Sequence, residues 1–536
     1  WVDTLLNQST KFGLVPPLNN LWEDHQVFIN SNYAIDLPSI GVATFDAVDY
    51  YGAVYSHGGT KVFPADSLTS KAINLAGLSA TDNIYLSFMI EPGGIGDVPE
   101  DGDNLTLEFK DKNNNWIDIW SSANETDLTS TSFKNISIAL TDENYLHPAF
   151  QFRFVNYASL SNQGQGWQSN SDQWHLDYVL LDKNRSASDN YLQDVCFKTL
   201  PTALLNNYYS VPWSHYKSNT KVTAGTCSMN VGNNSSSAVN NNYQSQVFEN
   251  GTSIHSNSSA GAASLSAGES KIFSPSFTGF TFTSSESYYT LFNLQHVLSS
   301  DLNTDLIPGN DTVSFMQVFD QHYAYDDGSA EAGYGLNAFE GKFALQYELL
   351  STTEKLTAID VYFNNTLTQA NFDVPISLTI WDNNNGQPGN ILAQTISQFP
   401  KKSDSLNTFL SYKLDDPISV SGTIYVGWEQ LSTELVNVGL DKNTDSKSKM
   451  FYNVNGFWQN SKVNGTVMIR PHFGTNRFLA ANAPVSPSIL LHPNPVRDIL
   501  EVKGMMQSDV LFLLDIQGKI ILQTKSNVLH VSHLKP

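Results

Sequence analysis

The sequence predicts an all-β protein assembled from successive sandwiches. Short runs that alternate apolar and polar residues with a period of two recur along the chain, separated by clusters of Gly, Pro, Asn and Asp. No long apolar pattern with the 3.6-residue period of a helix competes with them. Hydrophobic residues make up 40% of the chain and charged residues only 15%, so the surface must be built mainly from Asn, Ser, Thr, Gln and Gly. That balance suits an extracellular β-protein better than a cytosolic helical enzyme.

A chain of 536 residues exceeds what one core organises, and at roughly 100–200 residues per domain it divides into about three or four. Lys and Arg total 29 against 52 Asp and Glu, a net charge of −23, and no basic cluster interrupts it; nucleic acid is not an expected partner. No apolar run is long enough for a membrane-spanning helix, so no transmembrane segment is expected. The opening Trp1-Val2-Asp3 has neither a methionine nor an apolar leader, and is expected to begin a mature or trimmed product. Cys196 and Cys227 are the only cysteines. In an oxidising compartment one disulfide between them is expected, with two buried thiols as the alternative.

Residues 1–187 are expected to form a jelly roll. The runs at 83–90, 104–110, 116–120, 133–140 and 149–155 each alternate over several residues, and many short strands at this spacing make a sandwich or jelly roll. The phrase DNLTLEFKDKNNNWIDIW followed later by SDQWHLDYVLLD resembles MAM-like and concanavalin-like jelly rolls of secreted Bacteroidota proteins.

Residues 188–321 contain the one low-complexity stretch, 224–270, rich in Asn, Ser, Gly and Ala. Its strand-like spacing at 244–254 and the runs at 271–273 and 288–297 argue for a domain with solvent-facing polar rows rather than a disordered linker. The order SAGES, YTLFNLQHVL, NDTVSF resembles an immunoglobulin-like adhesion module of the CARDB type. Residues 322–478 are expected to form a further β-sandwich, with alternating runs at 357–363 and 376–381 and a turn cluster at 383–389. Residues 479–487 have the small-residue and Pro composition of a linker.

Residues 488–536 predict a small C-terminal β-domain. A Pro493-Asn494-Pro495 turn precedes the run Ile499-Leu500-Glu501-Val502, and Asp515-Ile516-Gln517-Gly518 joins two apolar runs as a hairpin. The Pro-Asn-Pro entry, the ILxV strand, the D-x-x-G-K hairpin at Asp515, Gly518 and Lys519, and the closing V-S-x-L-x-P with Leu534 and Pro536 resemble the type A C-terminal sorting domain of the type IX secretion system of Bacteroidota. In that family a Gly-x-Tyr strand and a basic end follow the final proline. The stop at Pro536 is therefore expected to be a trimmed or partial terminus. The resemblance implies export across the outer membrane, the type IX machinery as a partner, and a secreted or surface-anchored location.

The sequence carries no His-Glu-x-x-His, nucleophile elbow, phosphate loop or dinucleotide glycine pattern, and a non-enzymatic protein is expected. Two carboxylates of a glycosidase, brought from distant strands, would leave no local motif. No cofactor is required, but structural calcium is an expectation for an extracellular jelly roll. Its oxygen-rich candidates are Glu23, Asp24, Asp101, Asp103 and Asp177, with Asp326, Asp327 and Glu331 as a further set; solvated turn carboxylates are the alternative. Trp167 and Trp174, in a Gly-rich polar stretch, are candidates for a glycan-stacking platform, or else core residues. Thr4, Ser67, Thr312 and Ser405 each follow Asp and precede an apolar residue, a tripeptide that resembles the Bacteroidota O-glycosylation sequon. The expected function is adhesion or glycan binding at the cell surface, with a surface glycan or another surface protein as partner. A secreted hydrolase or its accessory module, and a cargo or accessory component bound to the type IX translocon, are the alternatives.

Overall fold

The computed structural model describes residues 2–3, 21–24, 26–49, 52–160, 172–351, 354–364, 372–401, 406–474, 490–492, 499–503, 511–514, 520–524, 526 and 528–530. The chain divides into two compact units, Trp1–Gly474 and Thr475–Pro536. The fold is all-β, as the alternating runs predict: antiparallel sheets account for nearly all regular structure, and Trp213–Ser218 is the α-helix among the described residues. No helix among them is long and apolar enough to cross a membrane.

The first sandwich has jelly-roll connectivity. One sheet runs Phe28–Asn30, Val42–Phe45, Trp174–Asp182, Tyr85–Pro92, Lys134–Ala139; the other runs Phe63–Thr69, Phe152–Ala158, Asn104–Lys110, Trp116–Ser121. The chain crosses from one sheet to the other at nearly every step, so the last strand returns to the centre beside an early one. Period-two alternation aims Leu86, Phe88 and Ile90 from the first sheet at Leu105, Leu107, Phe109, Phe152 and Phe154 from the second. Phe88 meets Phe154 edge-on at 4.9 Å and Trp120 at 5.3 Å, an arrangement aromatic quadrupoles favour.

The second sandwich sets Val195–Phe197, Met229–Asn233 and Ser270–Phe273 against Thr252–Leu265, Val239–Glu249, Thr290–Ser300 and Thr312–Phe319. This three-plus-four arrangement has an immunoglobulin-like order. The low-complexity stretch forms its longest hairpin. Val239–Glu249 buries every second residue, and Asn250-Gly251 closes the loop with φ of 48° and 78°. Both central residues of a type I′ turn need positive φ, which Asn and Gly adopt most readily. Asn385-Gly386 does the same between Ile376–Asn384 and Gln387–Gln394.

The third segment is built around a sheet in the order Gln387–Gln394, Ile376–Asn384, Thr423–Gln430, Lys342–Glu348, Met450–Asn453, Gln459–Asn460, backed by Leu410–Ile418, Leu356–Val361 and Ile469–Phe473. Its core is continuous with that of the second sandwich. Tyr208, Tyr325 and Tyr347 stack in succession at 4.8 Å per step, and Lys449 Nζ lies 3.9 Å from the Tyr325 ring centre.

In the C-terminal unit, Leu490–His492, Ile499–Lys503 and Val528–His530 form one antiparallel sheet, and Leu511–Leu514 pairs with Ile520–Thr524 as a hairpin. The expected sorting-signal residues Pro493, Asn494, Pro495, Asp515, Gly518, Lys519, Leu534 and Pro536 lie outside the described residues, as do Thr4, Trp167 and Ser405.

Phe88→Ala removes a fully buried ring from the centre of the first sandwich. It is expected to lower stability by about 3–5 kcal/mol, read as a fall in the midpoint of urea unfolding with far-UV circular dichroism unchanged in water.

Candidate metal centres

Three groups of ligand-type side chains stand out among the described residues: Glu100, Asp103 and Asp172; Asp327, Glu331 and Asp441; and His322, Asp360 and His472. In each, one ligand atom per residue lies within 4.8 Å of the others. They differ in what already satisfies their atoms.

Asp327, Glu331 and Asp441 meet where the start of the third segment faces the strand Val438–Asp441. Every carboxylate oxygen there has a donor. Asp327 Oδ1 accepts from Ser329 N at 2.8 Å and Oδ2 from Asn32 Nδ2 at 3.1 Å. Glu331 Oε1 accepts from Ser329 Oγ at 2.7 Å and Oε2 from Lys442 N at 2.8 Å. Asp441 Oδ1 accepts from Asn443 N at 2.7 Å, and Oδ2 accepts from Asp327 N and Thr444 Oγ1 at 2.7 Å. Burial and mutual repulsion push Glu331 and Asp441 well above the usual carboxylate range, and Asp327 to about 6. Asp326, expected among these ligands, is instead taken by Arg470, whose Nε donates to Asp326 Oδ2 at 3.0 Å and whose Nη2 donates to Oδ1. A bidentate guanidinium is a strong partner for a buried carboxylate.

In the histidine group, His472 Nδ1 pairs with Asp360 Oδ2 at 3.0 Å, while His322 Nε2 faces Arg470 Nη1 at 3.3 Å and its Nδ1 lies 3.7 Å from Asp320. Arg470 thus supplies the positive charge beside these rings. Burial, then the guanidinium, lowers His322 to about 4. Burial would lower His472 too, but the Asp360 contact outweighs it and raises the ring.

Glu100, Asp103 and Asp172 sit beside the loop that follows Tyr85–Pro92, next to the start of Trp174–Asp182. Asp103 N bonds Glu100 O at 3.0 Å across a turn in which Gly102 takes φ 105°, so both carboxylates fall on one side. Asp172 also has positive φ, 55°, a conformation Asp tolerates through its short polar side chain. Ser159 holds both aspartates, its N–H donating to Asp172 Oδ2 at 2.6 Å and its hydroxyl to Asp103 Oδ2 at 2.8 Å. Asp103 Oδ1 and Asp172 Oδ1 are buried and meet no donor among the described residues. Burial first, then neighbouring acids, raises Asp172 to about 9; burial raises Asp103.

Of the calcium candidates for the first sandwich, only Asp103 joins a group. Glu23 and Asp101 are exposed turn residues. Asp24 accepts from Thr69 N at 3.0 Å. Asp177 is buried and accepts from Ser39 Oγ at 2.9 Å and Tyr178 N at 2.7 Å, so it serves the sheet. Glu100 lies in the same PEDGDN turn as the chosen pair, and its spacing of three from Asp103 was the readable signal. Asp172 and Asp441 become partners only through strand order.

Burial corrects the expected glycan platform. Trp174 is 4% exposed and packs in the jelly-roll core, not on a glycan platform. Its place at the head of a central strand aims alternate residues inward. Ser67 is half-buried in a strand with its hydroxyl on Gln26 Oε1 at 2.6 Å; Thr312 opens a strand, paired with Val297. Cys196 and Cys227 form no disulfide. Each is a free buried thiol with its own neighbours, Cys196 donating to Pro38 O at 3.3 Å and Cys227 lying 3.7 Å from His296 Nε2.

No protein-family model matches the chain, and neither does any curated protein sequence. Among solved structures, a β-glucuronidase 2 from Bacteroides uniformis covalently bound to cyclophellitol-6-carboxylate aziridine aligns at 10% identity and TM-score 0.22, over 51% of this chain and 29% of that one. A GH2 β-galacturonidase from Eisenbergiella tayi bound to glycerol aligns at 11% identity and TM-score 0.22, over 62% of this chain and 47% of that one. The chain thus spans less than half the length of either enzyme.

The His472–Asp360 pair fixes a pH dependence. With a raised folded pKa, the histidine's contribution is fully present below the unfolded value of about 6.5 and is lost as pH rises through the folded pKa. Asp360→Asn is therefore expected to flatten the decline in Tm between about pH 6 and 8, followed by scanning fluorimetry across buffers. Both thiols are held up by burial, Cys227 to about 12. Native protein is expected to leave Ellman's reagent unreacted and to release two thiols' worth of colour in denaturant, with Tm indifferent to reductant.

Proposed function

We propose that this chain is a non-catalytic, multi-sandwich protein of the bacterial cell surface, exported by type IX machinery that recognises its C-terminal unit, and that its upstream sandwiches serve adhesion or glycan binding. The observation that carries the reading is the separate compact unit Thr475–Pro536. In it the ILEVK strand pairs with both Leu490–His492 and Val528–His530, and the hairpin Leu511–Leu514 with Ile520–Thr524 brackets the D-x-x-G-K segment. A hairpin at the D-x-x-G-K segment is what its turn chemistry predicts. Structural calcium in the first sandwich belongs to the same reading.

The non-catalytic part is supported by the fate of the buried ionisable groups. Asp326 is bound by Arg470, Asp360 by His472, and the Asp327–Glu331–Asp441 oxygens by backbone and side-chain donors. Such groups are engaged as structural partners.

Deleting Thr475–Pro536 in a type IX-competent bacterium is expected to leave the remaining chain folded but retained in the periplasm, assayed by fractionation and by surface protease accessibility. Surface display of the shortened chain would overturn the export reading. Turnover of a polysaccharide panel by purified protein would overturn the non-catalytic one.

A further inference from the structure

The Glu100–Asp103–Asp172 group differs from the other two in having neither a cationic side chain nor a full set of donors: Asp360 Oδ1 is likewise buried without a donor, but His472 sits on the other oxygen of that carboxylate. Arg470 serves the acids around it, and donors cover every oxygen of the Asp327 group. Here Ser159 takes one oxygen of each aspartate and leaves the other, Asp103 Oδ1 and Asp172 Oδ1, buried without a donor. Asp172 is fully buried and Asp103 is 7% exposed. Leaving such oxygens unpaired costs several kcal/mol per charged group. The group must take up a proton or a cation.

We propose that Glu100, Asp103 and Asp172 bind a calcium ion that clamps the loop after Tyr85–Pro92 to the start of Trp174–Asp182. The donor set is oxygen only, which suits a hard cation and neither zinc nor copper. Calcium accepts six to eight oxygens at about 2.3–2.6 Å in flexible geometry. Three carboxylates supply the charge, and the exposed Glu100 leaves one side open to water. Ser159 fixes the aspartates from behind, the outer-sphere arrangement that orients ligands before the ion arrives. Magnesium is disfavoured because it demands a near-ideal octahedron and gives up water reluctantly.

The competing occupant is a proton shared among the acids, and it predicts a melting temperature that ignores calcium.

The test uses the full chain, chelator-treated and then titrated with calcium chloride, with magnesium chloride in parallel. Calcium is expected to raise Tm by several degrees and to bind with one measurable stoichiometric step assigned to this site; magnesium is expected to do less. Glu100→Gln, an exposed change that preserves folding, and Asp172→Asn are each expected to abolish that step. Asp172→Asn without calcium is expected to melt no lower than the chelated parent, because it relieves repulsion. A parent Tm indifferent to calcium, with Asp172→Asn raising it, would assign the group to a shared proton and overturn the site. An undiminished calcium step in both variants would overturn it as well. The inference rests on the first sandwich, and the export reading on the C-terminal unit, so calcium binding by an unexported chain, or export of a chain that ignores calcium, tells the two apart.

Discussion

The strand Trp174–Asp182 is buried on both faces, and much of the first sandwich is arranged to satisfy it. Trp174, Leu176 and Leu181 enter the core, while His175 and Asp177 on the other face are buried as well. A polar residue there must find partners inside the protein. His175 pairs with Thr44 Oγ1 at 2.9 Å, and Thr44 in turn accepts from Asn30 Nδ2 at 2.8 Å. A bulge between Asp177 and Leu180 then turns the strand, placing Tyr178 at φ 47°. For a bulky side chain that conformation costs about 1–2 kcal/mol. What it gains is reach: the Tyr178 hydroxyl donates to Asp194 and accepts from Asn234 Nδ2 at 2.6 Å, both in the second sandwich.

The same demand, that buried charge be answered, sorts the acidic clusters. Around Arg470 the answer is a guanidinium, preorganised to bind a carboxylate through two bonds. In the Asp327 group it is a set of amide and hydroxyl donors, drawn partly from the first sandwich through Asn32. At Asp172 the protein supplies half an answer through Ser159. Removing one partner from a buried ionic group costs far more than the intact group contributes, so the two open oxygens at Asp103 and Asp172 favour an occupant that completes them. The surroundings, more than the ligand types, tell the three clusters apart.

The strands were legible because alternation is a property of the strand itself: 104–110 and 116–121 match the sequence-read runs almost to the residue. The resemblance to jelly-roll and immunoglobulin-like modules pointed to sandwiches, while the order of strands within each sheet was not read from the sequence. Less was read from the Asn-Gly pairs at 250–251 and 385–386, although they close two hairpins and their chemistry is local. The candidate site was legible only in part. Asp103 and its turn announced themselves, but Asp172 is its neighbour only because the final jelly-roll strand returns to the centre of the sheet. Asp177 and Trp174 were misplaced for a related reason. A polar or aromatic residue in a polar stretch reads as exposed until the second layer that covers it is known, and that layer comes from 33–39 and from the opposite sheet.

That covering layer also changes what counts as a module. The loop 32–40 is shared by three segments of the chain. Asn32 Nδ2 reaches Asp327, Tyr33 donates to Ala330 O at 2.9 Å, Asp36 pairs with Lys198 at 2.9 Å, Pro38 O accepts from Asn234, and Ile40 N bonds Phe197 O at 3.1 Å. Beside the same loop Lys442 Nζ donates to Ile95 O, and Ile95 N bonds Tyr33 O at 2.9 Å. Cutting after the first sandwich would strand these donors and acceptors and expose Tyr33, which is fully buried. The end of the jelly roll that carries this loop is therefore closed to a large ligand, and any binding surface of the first sandwich must lie elsewhere on it. The unit that folds together is Trp1–Gly474 as a whole, and its parts are tied to one another by these bonds as well as by their own cores.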